Sequence, residues 1–227
     1  MRSRALALLV LCSPALALAG CGNSSKSSGT TSTTSTQTTA AATGGPTQAG
    51  GGTMGPEGIP IEQGPSLAPA STTSTSRKVD GVQCAPIEQL AYHIHAHLQV
   101  YYNGSPRQLP GAIGMLGPVA QQSKFGPFYG ATQCYYWLHT HTADGVIHIE
   151  SPTATFYTLG DFFDEWGQPL SANHVATAQG PVTAFVNGKR WTKSPRQIQL
   201  KPHTVIQLDV GKPVAPFHNV SFGRTGL

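Results

Sequence analysis

Six of the nine histidines in this chain fall in two short segments. The first is His93-Ile94-His95-Ala96-His97, and the second carries His139, His141, His148 and Glu150. Alternate residues of an extended strand project from the same face. His93, His95 and His97 therefore share a face, and so do His139 and His141. Imidazole is the commonest protein ligand for transition metals, and a metal needs the unprotonated ring. Crowding favours that form, because like charges depress one another's pKa. A lone His-x-His arises by chance, whereas HxHxH together with HxHx6HxE in one domain is what divalent metal binding explains. His174, His203 and His218 are scattered and read as ordinary surface residues.

Turn chemistry makes the pattern spatial. Asp144-Gly145 is a hairpin signal, and a two-residue turn there opposes His141 to His148 and His139 to Glu150 on one face. Leu138, Ile147 and Ile149 then form the opposite, core-facing side. If the His93 strand packs beside this hairpin, six imidazoles and one carboxylate converge. Such a donor set suits Zn²⁺ or Cu²⁺ foremost, with Ni²⁺ and Fe²⁺ as alternatives. Only Met54 and Met115 follow the N-terminal segment, which argues against a Met-rich Cu(I) carrier. Glu150 is a ligand, an orienting partner of an imidazole or, in an enzyme, the catalytic base.

The elements that must position these residues read mainly as short strands. The His93 strand ends at Asn103-Gly104, a type I′ turn signal, and a return strand follows, broken by Pro106 and Pro110. Residues 111–130 are rich in Gly and Pro and read as a long surface loop, either a roof over a pocket through Phe125, Phe128 and Tyr129 or an idle insertion. Cys134 to His141 and Val146 to Glu150 are the strands of the histidine hairpin. One helix is expected from Thr158 to Trp166. Thr158 and Asp161 have capping-box spacing, Phe162 and Trp166 share a core-facing side, and Gly167 ends it. A further hairpin pairs Val182–Val186 with Arg196–Leu200 across Asn187-Gly188, a faint echo of the Asn103-Gly104 hairpin, and Val205–Val210 is another strand. The expected fold is mainly β, a sandwich or small barrel built from hairpins with one short helix, after a disordered N-terminal tether.

The N-terminus has the layout of a targeting segment. Arg2 and Arg4 precede an apolar run from Ala5 to Leu18, too short for a comfortable membrane span. Leu18-Ala19-Gly20-Cys21 resembles the lipobox of bacterial lipoproteins. The resemblance covers the first 21 residues and implies cleavage after residue 20 and acylation of Cys21, which anchors the chain to a bacterial membrane outside the cytoplasm. The alternative is cleavage after Ala17-Leu18-Ala19 and release. Residues 23–76 hold 23 Ser or Thr among 54 positions, no aromatic, and only Lys26, Glu57 and Glu62 as charges. That composition reads as a flexible tether, with a mean reach of roughly 40 Å. The expected domains are thus a signal over 1–20, a lipidated linker over 21–76 and one His-rich domain over 77–227. With Cys12 in the signal and Cys21 lipidated, Cys84 and Cys134 are left in an oxidising setting, where a disulfide is the simplest use.

The 77–227 domain carries 11 Lys and Arg against 8 Asp and Glu, too mild an excess for nucleic acid, and no basic run alternates with aromatics. The pair HxHxHL and CxYWLHTHxxxGxIHIESP resembles segments of uncharacterised exported bacterial proteins over most of residues 80–170, and that resemblance implies no activity. Three readings of function follow. The first is a tethered lipoprotein that binds a transition metal for storage, delivery or sensing. The second is a metal-dependent enzyme with a cupin-like or three-His site, although no HExxH, GxSxG, Walker or dinucleotide motif supports a named reaction. The third is a structural or interaction domain whose histidines brace the fold.

Overall fold

The computed structural model describes residues 52–71, 77–223 and 225–227. The signal segment, Cys21 and most of the expected tether lie outside the described residues.

The longest element of the main sheet is β2 (Tyr92–Tyr102), which carries the first histidine cluster. One edge of β2 pairs in parallel with β12 (Thr204–Val210). Its other edge pairs antiparallel with β7 (Val146–Ser151) and, past Val100, with β3 (Ser105–Arg107). The sheet extends from β7 to β6 (Leu138–His139), and from β12 through β10 (Val182–Val186) to β11 (Lys189–Trp191). A second sheet holds β1 (Cys84–Ala85), β5 (Gly126–Tyr136) and β4 (Met115–Ser123), in that order. A short ribbon joins β8 (His174–Val175) to β9 (Ala178–Gln179). Neither larger sheet closes on itself, so the barrel is excluded and the mainly β sandwich of hairpins stands.

Period-two patterning decides which face is core. Ala96, Leu98 and Val100 of β2 lie on the side of Leu138, Ile147, Ile149, Ile206 and Leu208 and join one buried cluster, with the half-buried Ile94 packed against it. The one α-helix among the described residues, α1 (Leu159–Trp166), adds Leu159, Phe162, Phe163 and Trp166 to it. Its expected signals are all present: Thr158 and Asp161 form a reciprocal capping box, and Gly167 caps the end in the left-handed region. The disulfide Cys84–Cys134 ties β1 to β5. The Asn103-Gly104 and Asn187-Gly188 turns both close hairpins with both residues at positive φ.

Three expectations are corrected. Residues 111–130 are not a surface loop: β4 and β5 form a hairpin across Lys124-Phe125. β4 is largely exposed and bulged between Leu116 and Pro118, and β5 is mostly half-buried, so the pair lacks the hydrophobic alternation that marks a strand. Arg196–Leu200 is not the partner of β10. The two-residue turn returns directly into β11, while Pro195–Gln197 forms a 3-10 turn and Arg196 pairs with Asp164 of α1. Finally, the domain begins before residue 77. Ile59 and Leu67 are buried, Leu67 N donates to Gln108 O, and Glu62 N donates to Ala143 O.

Residues 57–62 help bury the polar face of the main sheet, and the C-terminal segment does the rest. Gln207 donates to Ala215 O and accepts from His218 N, and Gln99 donates to His218 O at 2.5 Å. The centre of the main sheet is thus covered on both sides, and His95, His97, His139, His141 and His148 are buried while His93 stays exposed at its edge.

Candidate metal centre

Pairing with β7 brings the two histidine segments together. β7 lies between β6 and β2, with His148 directly opposite His139 on one side and His95 on the other. Directly opposed residues point to the same face, so His139, His148 and His95 form a row across three adjacent strands. Glu150 faces His93 one step along. The expected register, His141 against His148, is therefore two residues off: β6 stops at His139, and residues 140–145 make a longer connection. A shift of two preserves the face, so the same side chains still converge. The Asp144-Gly145 signal remains at the tight end. Val146 N donates to Asp144 Oδ1 and Leu98 N to Gly145 O, and Gly145 has φ +83°.

His139, His141, His148 and Glu150 each offer a ligand atom within 4.8 Å of the others, and all four are buried. His93, His95 and His148 form a second such group. Hydrogen bonds fix which nitrogen each ring presents. His139 Nδ1 donates to Tyr136 O at 2.8 Å, and His141 Nδ1 donates to Tyr129 O at 2.6 Å. A carbonyl only accepts, so both rings carry the proton on Nδ1 and a lone pair on Nε2. Those two Nε2 atoms lie 3.1 Å apart, two lone pairs facing each other with no proton between them. A tetrahedral ion with nitrogen ligands at about 2.0–2.1 Å sets those nitrogens about 3.3 Å apart.

His148 is held differently. Its Nε2 donates to Glu57 Oε1 at 2.6 Å, while Nδ1 lies 3.2 Å from Glu150 Oε1 and 3.1 Å from His95 Nε2. Each of the three imidazoles in the first group therefore has one nitrogen occupied by a fixed acceptor and the other turned inward. That is how orienting partners set the ring of a metal-ligating histidine. Glu150 Oε1 is 3.0 Å from His93 Nε2 and 3.9 Å from His139 Nε2, and Oε2 is buried with no hydrogen-bond partner among the described residues.

Electrostatics follow from this packing. Burial, reinforced by neighbouring rings, pushes His95 down to about 3 and His139 well below the usual imidazole range. Burial and His148 lower His141 to about 4. Burial also opposes a charge on His148, but its hydrogen bonds to Glu150 and Glu57 outweigh that and hold it at about 9. The centre is thus one imidazolium clamped by two carboxylates among neutral rings.

His97 does not join the cluster. Its Nε2 donates to Asp144 O at 2.7 Å, and it lines a separate cavity of about 460 Å³ with Gln99, Tyr101 and Glu62. Of the scattered histidines, His203 is exposed as expected, whereas His174 and His218 are half-buried, the latter stacked on Tyr101.

Four contributors escape the sequence pattern. Glu57 sits in the expected tether, and its only signal is that it is one of three charges there. Glu88, Oε1 3.4 Å from His141 Nε2, lies at the rim on a loop with no motif. Tyr129 and Tyr136 act through backbone carbonyls, which residue type does not encode. Phe128 also stacks on the His141 ring at 4.4 Å, so the β4–β5 hairpin forms a wall of the site. The chain matches no family model, no curated protein and no solved structure.

Proposed function

We propose that this chain is an exported, lipid-anchored protein that binds a divalent transition metal through His139, His141, His148 and Glu150, for storage, delivery or sensing at a bacterial membrane. One observation carries the metal reading: three buried imidazoles have their outer nitrogens fixed by Tyr136 O, Tyr129 O and Glu57, and their inner nitrogens converge with Glu150 Oε1. Three nitrogens and one carboxylate oxygen suit Zn²⁺ best, and Cu²⁺ next. The lipobox resemblance at Leu18–Cys21 supports the anchoring.

A metal-dependent enzyme is the second reading. It is favoured by the rim, where the His93 side chain is 36% exposed and Glu88 overlooks His141. Catalysis needs an open coordination position, and this edge is where one would lie.

Metal analysis of the full chain after reconstitution tests the proposal. Stoichiometric Zn²⁺ or Cu²⁺ is expected in the wild type and at least one ion fewer in His139→Ala/His141→Ala. A wild type without stoichiometric metal refutes the reading, and a variant with its full metal content moves the site elsewhere.

A further inference from the structure

The first donor group leaves two imidazoles unused. His93 and His95 stand on β2, across β7 from His139 and His141, and their rings are 4.5 Å apart. They form the second ligand group, which shares His148 with the first. The layout is a pair, a shared strand and a pair: β6 and the residues after it supply His139 and His141, β2 supplies His93 and His95, and β7 between them supplies His148 and Glu150.

One tetrahedral ion takes four ligands, and this cluster holds five imidazoles and a carboxylate. An imidazole lone pair serves a single ion, so His148 Nδ1 is available to one group only. A carboxylate has two oxygens and can serve both. Glu150 Oε1 already lies between the two sides, 3.0 Å from His93 Nε2 and 3.9 Å from His139 Nε2, and Oε2 is buried with no hydrogen-bond partner among the described residues.

From this geometry we infer that His93 and His95 hold a second divalent ion, with Glu150 bridging it to the ion held by His139, His141 and His148. This rests on the metal reading above and extends it to a dinuclear centre. The two positions differ in access. The first is enclosed by β5 and Glu57, and the second opens to solvent at His93, so the second ion is the exchangeable one and the one a small anionic ligand reaches.

The test is metal stoichiometry of the full chain loaded with Zn²⁺ and freed of excess, compared with His93→Ala/His95→Ala. Two ions per chain are expected in the wild type and one in the variant. One ion in the wild type overturns the second site while leaving the proposed metal binding intact. No ion overturns the metal reading itself. Two ions in both proteins overturn the assignment to His93 and His95. Near-UV dichroism reports whether the double variant folds. If it does not, the exposed His93→Gln is used, with an expected loss of at least tenfold in affinity for the second ion only, and unchanged affinity overturns the inference.

Discussion

Glu57 gives His148 its character. It accepts from Nε2 at 2.6 Å and is itself buried, so the imidazole keeps one orientation with Nδ1 turned toward Glu150. Partners of this kind typically contribute roughly 10–100-fold in metal affinity. Glu57→Gln keeps the volume but removes the charge, and Zn²⁺ titration should show a loss of that size. Glu150 and Glu57 together set the pH response. His148 is protonated below about 9, whereas His141 stays neutral down to about 4. Binding at His148 Nδ1 therefore displaces one proton between those limits. Affinity should rise with pH by about tenfold per unit, with a slope near one, and level off above about 9. Titrations across that range check the slope, and a slope near three would mean that His139 and His141 are also protonated in the free protein.

At the scale of elements, the face carrying each histidine was legible and the register was not. The alternation is strict over residues 93–100 of β2 and 147–150 of β7, and period two survives any shift by two residues. The length of the 139–146 connection depends on tertiary contacts that turn chemistry does not encode. In particular, Leu98 N takes Gly145 O, and a Cβ on Gly145 would stand 2.5 Å from Leu98 O and 2.7 Å from His97 Nε2. With φ at +83° as well, Gly145→Ala should cost about 1–3 kcal/mol, read as a lower urea midpoint. The β4–β5 hairpin was hidden for another reason: β4 is largely exposed, and both strands carry Gly and Pro, so no apolar stripe marks them. Its anchor is the Cys84–Cys134 bridge, which closes a separation of 50 residues. Replacing both cysteines with serine should cost about 2–4 kcal/mol. It should also loosen the grip of Tyr129 on His141, so metal affinity falls along with the melting temperature.

At the largest scale, both faces of the main sheet are covered over its central strands β12, β2 and β7. The apolar cover, α1 with its capping box, was readable from spacing alone. The polar cover was not, because residues 52–71 have the composition of a linker and fold down only against an existing sheet. Ile59, Leu67, Glu57 and Glu62 then become interior residues. A chain starting at Arg77 should accordingly melt lower than the full chain and bind metal more weakly, since His148 loses Glu57. Equal stability and affinity in the two would show that this cover contributes nothing. The central claim is that a divalent ion sits where the inward nitrogens meet Glu150. Anomalous diffraction from crystals of the Zn²⁺-loaded chain tests it most directly. The account predicts a peak bounded by His139 Nε2, His141 Nε2, His148 Nδ1 and Glu150, with ligand distances of about 2.0–2.2 Å. A loaded crystal with no peak at that point, or with zinc held only by other residues, would contradict it.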